Sequence, residues 1–164
     1  MYEASIPVLL RMLANLRALL EKGAAYAEER KFDPVALTGA RLFPDMFPLT
    51  RQVQIAADMA KGCAARLAGV EPPKYEDNET TFAQLIERVE KTAAFLKTFK
   101  REQIEGSEQR DIVLKSPRGE MKFKGREYLH NFVLPNFYFH IATTYNILRH
   151  NGVAIGKQDF LGKV

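Results

Sequence analysis

The chain has 164 residues with a net charge of +4 and a pI near 9.2, a length that suits one domain, residues 1–164, able to bury roughly 70% of the surface its unfolded form exposes. A single cysteine, Cys63, excludes an internal disulfide and a cysteine-rich metal cluster and suits a reducing, cytoplasmic setting. Basic residues are interspersed with acidic ones rather than clustered, so the excess charge leaves no nucleic-acid footprint.

Ile6, Leu9, Leu10, Leu13, Leu16 and Leu20 recur at helical spacing and predict a first helix over residues 2–27, regular after Ser5 because Pro7 is tolerated near the first turns. Its apolar run is broken by Arg11, Asn15 and Arg17, which argues against a signal peptide and a membrane span. Arg17 projects near Leu10 and Leu13, either as a stem lying over the core edge with its head in water or as an inward anion hook. Gly23 weakens the last turns. Residues 31–45 form a connector, with Asp33-Pro34 opening a short turn and Gly39 breaking it, too long for a tight helical hairpin.

A second helix is expected over residues 45–67, stopped by Gly69 and Pro72-Pro73. Leu49, Val53, Ala56, Ala60, Ala64 and Leu67 make its core face, while Arg51, Gln54, Asp58 and Lys61 gather opposite. Gln52 escapes that partition and projects beside Ile55, Met59 and Cys63, as a half-buried, hydrogen-bonded amide. Thr81-Phe-Ala-Gln84 has capping-box spacing and opens a third helix carrying Leu85, Ile86, Val89, Ala93, Leu96 and Phe99.

Residues 102–109 read as a polar connection. Asp111–Lys115 and Glu120–Lys124 then alternate apolar and polar around Ser116-Pro-Arg-Gly119, which predicts a small hairpin lying against the helices. A fourth helix runs from Gly125 to Asn151-Gly152, and Pro135 within it predicts a bend or local opening just before Asn136. Residues 156–162 are expected to be extended, with Phe160 and Leu161 docking on the bundle or on a partner subunit. The class is all-α: a four-helix bundle with a small β-hairpin before the last helix.

On the last helix Asn136, His140, Thr143 and Thr144 fall on the same side as Val133, Phe137, Ile141, Ile147 and Leu148. A polar stripe thus runs inside an apolar face, and an unpaired buried polar group costs about 1–3 kcal/mol. The stripe is therefore a hydrogen-bond network or a site. His140 reads as a neutral core imidazole partnered by Asn136 and Gln52, or as a general base in a pocket opened by Pro135. Cys63 reads as a small buried hydrophobe on the Gln52 flank, and His130 and His150 as structural or surface residues. Tyr138, Tyr145 and Arg149 share the other side and suit a partner helix or a dimer contact. A Gly-rich phosphate loop, HExxH and GxSxG are all missing, so nucleotide binding, that protease class and the usual hydrolase elbow have no support.

Four stretches, Arg41-Leu-Phe-Pro-Asp-Met46, Leu134-Pro-Asn-Phe-Tyr-Phe-His140, Ile147-Leu-Arg-His-Asn-Gly152 and Gly156-Lys-Gln-Asp-Phe-Leu-Gly162, carry a resemblance to a known group. The chain resembles the DinB/YfiT-like superfamily of four-helix bundles, described as metalloenzymes, and within it a branch of bacterial proteins that form a domain of unknown function. The resemblance spans nearly the whole chain. It implies that three histidines would hold a divalent cation, one on the second helix and a His-x-x-x-His pair on the last. His140 matches the second of that pair, Asn136 stands at the first, and Gln52 or Gln54 lies near the position on the second helix.

Two of three ligands are then amides, whereas Zn or Ni prefers imidazole, thiolate or carboxylate. Asp45 is a further charged group, almost two turns from Gln52 on a continuous helix. Two functions follow from these residues. One is a non-catalytic or cryptic homodimeric bundle that takes a small-molecule ligand at the stripe. The other is a divalent-metal-dependent enzyme of thiol-transferase-like or hydrolase-like type, with His140 as ligand and Asn136, Gln52 or Asp45 completing the site.

Overall fold

The structure is a computed structural model that describes residues 1–116 and 119–162; the central residues of the expected hairpin turn, Pro117 and Arg118, lie outside the described residues. Four long helices form the bundle: α1 (Tyr2–Arg30), α3 (Leu49–Ala68), α4 (Phe82–Lys97) and α7 (Leu134–His150). Short helices α2 (Val35–Thr38), α5 (Arg101–Ile104), α6 (Gly125–Glu127) and α8 (Lys157–Leu161) sit in the connections, and β1 (Asp111–Ser116) pairs antiparallel with β2 (Gly119–Lys124).

Helix α1 packs chiefly on α4, and α3 on both α7 and α4, while α7 closes the ring against α1. The chain therefore crosses the bundle diagonal twice, from α1 to α3 and from α4 to α7, and these are the two places where the connection is long. The apolar stripes read from the sequence meet in one core, with Leu9, Leu13, Leu16, Val53, Ala60, Leu85, Leu96, Phe137 and Leu148 all buried. Each fully buried Leu or Phe contributes about 1.5–3 kcal/mol relative to exposure.

Gly23 does not weaken α1, which continues to Arg30. It is a point of close approach: a Cβ there would lie 2.9 Å from Leu148 and 3.0 Å from Phe82. Arg17 is exposed and ion-paired with Glu21 and Glu90, as a solvent-facing head requires. Helix α3 starts at Leu49 instead of residue 45, because Pro48 takes the N-cap and Pro44-Asp45 belongs to a turn. Arg41 Nη1 donates to the Met46 carbonyl at 2.5 Å and Leu49 N–H to the Ala40 carbonyl at 3.0 Å, so the Arg-Leu-Phe-Pro-Asp-Met stretch is a locked turn.

The capping box of α4 is present, with Gln84 N–H donating to Thr81 Oγ1 and Thr81 N–H to Gln84 Oε1. The polar connection after α4 holds more order than its composition suggests, since Ile104 on α5 is buried. Six residues before α7, Tyr128–Val133, are π-helical, so the local opening expected near Pro135 is realised in the preceding turn. The tail also departs from expectation: residues 157–161 coil into α8 rather than extending. There Asp159 accepts from Gly156 N–H at 2.7 Å, Asn15 donates to the Phe160 carbonyl and Tyr145 packs on Phe160.

Candidate functional site

Helices α3 and α7 bring Gln52 and His140 together in the bundle wall. Gln52 is fully buried and its Nε2 donates to the Phe47 carbonyl at 3.0 Å. Its Oε1 can therefore only accept, so His140 Nδ1, 2.7 Å away, must carry the proton. This chain of two bonds fixes the imidazole tautomer from the backbone of the turn before α3. His140 keeps 8% exposure, and its Nε2 has no partner among the described residues yet is not among the sealed polar atoms. That lone pair opens to the surface. Burial, helped by the positive charge of Arg51, holds the imidazole down to about 4.

The rest of the stripe does not converge on His140. Asn136 Nδ2 donates to the Phe132 carbonyl at 2.6 Å, closing the π-helical turn, so the expected Asn136–His140 bond is not formed. Thr143 and Thr144 hydroxyls donate one turn back, to the Phe139 and His140 carbonyls at 2.7 and 2.9 Å, as hydroxyls inside helices commonly do. Asp45 stands exposed on the turn and Gln54 faces away toward Glu79. Cys63 is a buried thiol, pushed up to about 12 by burial, which removes it as a nucleophile. His130 and His150 are exposed.

The metal chemistry that the resemblance implies does not fit these side chains. Gln52 uses both ends of its amide internally, Asn136 offers at most a neutral amide oxygen, a poor ligand for Zn or Ni, and His140 is the one imidazole of the set. Among the described residues no three His, Cys, Asp or Glu side chains form a group that could hold a metal ion.

A second polar cluster, which the sequence reading overlooked, lies on the opposite side of α3. Arg88 on α4 is buried and its guanidinium meets Asp58, Asp77 and Glu79, each at 2.9 Å, and the Glu76 carbonyl at 3.0 Å. Lys61 joins Asp58 at 2.8 Å, Gln54 donates to Glu79, and Arg51 pairs with Asp77. The side of α3 carrying Gln54 and Lys61 is thus covered by the acidic loop over residues 71–80, and both residues are buried. Burial disfavours the charge of Arg88, but the Glu79 hydrogen bond and the Asp58, Glu79 and Asp77 charges outweigh it and raise the guanidinium above its usual range. The available signal was position: Arg88 shares the helix face of Leu85, Thr92 and Leu96.

Residues 1–161 match the family described as "Domain of unknown function (DUF1993)". No curated protein matches the chain. Among solved structures, the chain is similar to a DinB family member protein from Shewanella denitrificans, with 40% identity and a TM-score of 0.91 over 99% of this chain and 92% of that one. No helix among the described residues is long and apolar enough to cross a membrane. With a family match over nearly its whole length and a solved relative of the same helical architecture, the chain belongs to the DUF1993 family of DinB-like four-helix bundles.

Proposed function

We propose that this protein is a ligand-binding bundle without a catalytic metal, in which His140 presents a neutral Nε2 lone pair to a small molecule bearing a hydrogen-bond donor. The carrying observation is the relay from the Phe47 carbonyl through Gln52 to His140 Nδ1, which spends one ring nitrogen internally and leaves the other open. An imidazole held down to about 4 stays an acceptor at neutral pH. Apolar contacts are at hand: the Phe139 ring stands edge-on to His140 at 5.3 Å between centroids, and Phe47, whose carbonyl anchors the relay, is itself exposed.

The test combines metal analysis of protein purified without chelator with nitrogen-15 NMR of His140. The expected result is a metal content far below one per chain and an imidazole protonated at Nδ1. Stoichiometric metal that disappears in a folded His140→Ala variant would overturn the proposal and favour the metal-dependent enzyme.

A further inference from the structure

Directly opposed residues of an antiparallel pair share a face, so Ile112 with Phe123 and Leu114 with Met121 form the apolar side of the hairpin. Ile112 is buried and Phe123 packs on Tyr128 and Phe132. Beyond them the same face runs out of cover: Leu114 is half-buried and Met121 is 41% exposed. They overhang a groove of about 720 Å3, also lined by Met59, Phe132, Arg66 and Arg110. Small-molecule sites span roughly 300–1,000 Å3.

The two arginines give the groove a chemical preference. Arg66 Nη1 donates to Tyr128 Oη at 3.0 Å, and Arg110 Nη1 donates to the Leu67 carbonyl at 2.6 Å. Both are half-buried, and among the described residues their remaining N–H groups meet no acceptor and neither forms an ion pair. The C-terminus of α3 nearby supplies only about half a negative charge against two whole positive ones. Of the acidic residues at the groove, Asp111 is taken by Lys124 at 2.7 Å, and Glu71 is exposed and bonds neither arginine. Lys115 also lines the groove, but its charge is offset by Glu120 at 3.9 Å, so the two arginines carry the preference.

We infer that this groove binds an amphiphilic carboxylate, with the anionic head on Arg66 and Arg110 and the aliphatic chain along Met59, Phe132, Leu114 and Met121. Guanidinium groups suit a carboxylate because their planar N–H pairs match its two oxygens. The overhanging Leu114–Met121 pair offers apolar surface that the bundle leaves partly uncovered.

Calorimetry of the whole protein with octanoate, butyrate and octan-1-ol tests this. Octanoate should bind one per chain, with butyrate (head without tail) and octan-1-ol (tail without charge) each weaker by about tenfold or more, the loss expected when one charge-assisted bond or several buried methylenes go. Arg110→Gln and Arg66→Gln should each weaken octanoate by a similar factor. So should Met121→Asp, which changes an exposed side chain and therefore decides the matter if either arginine variant fails to fold. Octanoate binding no tighter than butyrate, or unmoved by these variants, would overturn the inference. So would an acidic amphipathic peptide that binds where octanoate does not, since the groove would then be a protein-docking surface.

Discussion

Replacing Arg88 by Met keeps the stem volume and removes the charge on which the loop over residues 71–80 is fastened to α3 and α4. Three carboxylates then lose a partner, but unequally. Asp58, 32% exposed, keeps Lys61, and Asp77, 39% exposed, keeps Arg51. Solvent screening limits each of those losses to a few tenths of a kcal/mol up to about 1. Glu79 is different, at 11% exposure with the Gln54 amide left as its one partner among the described residues. Stranding a nearly buried carboxylate is the costly step, about 2–3 kcal/mol.

The total expected for Arg88→Met is therefore about 3–4 kcal/mol of stability, measured by urea unfolding at neutral pH with the slope checked for separate opening of the loop. Adding Glu79→Gln should restore about half of that loss, because the stranded charge goes with it. A loss below about 1 kcal/mol, or a double variant no better than the single, would refute this account of the cluster.

Two further outcomes follow from other parts of the molecule. His140 sits near 4 in the folded chain against an ordinary 6.5, so the unfolded chain binds more protons between those values, and stability is complete above pH 6.5 and lost as pH falls toward 4. The full displacement corresponds to about 3 kcal/mol, which solvent access at Nε2 reduces to about 2; His140→Gln should flatten the pH dependence of urea midpoints by that amount, and an unchanged slope would contradict the assignment. At Gly125 a Cβ would collide with the Ser107 carbonyl oxygen, a backbone atom that cannot step aside, so Gly125→Ala should cost about 1–3 kcal/mol in thermal unfolding; a neutral result would mean that the join between hairpin and helix is looser than described.

The four long helices, the capping box at Thr81, the hairpin and the buried stripe on α7 were all legible because each follows from local periodicity or turn chemistry. Gln52 beside His140 was also legible, since both break an apolar flank of facing helices. What periodicity cannot supply is the choice among partners. Asn136, one turn from His140, was expected to bond it, yet the π-helical turn before Pro135 presents the Phe132 carbonyl closer at hand. Arg88, Gln54 and Lys61 were hidden for a related reason: a polar residue is read as solvent-facing unless a loop distant in sequence folds over it. The tail failed in the other direction, because Asp159 supplies the cap that turns an apparently extended segment into a short helix.

The six π-helical residues between hairpin and α7 also act as an angular spacer. Each residue of an ordinary helix turns the chain by about 100°, and a π-helical turn takes up an extra residue without passing that rotation on. Upstream, Tyr128 and Phe132 are aimed at Phe123 on the hairpin; downstream, Phe137 faces the core and His140 faces Gln52. An uninterrupted α-helix would set the two groups at a different relative angle. The loosened turn changes the bearing between the two faces of one helical rod, so that the length of this segment helps set the direction in which His140 points.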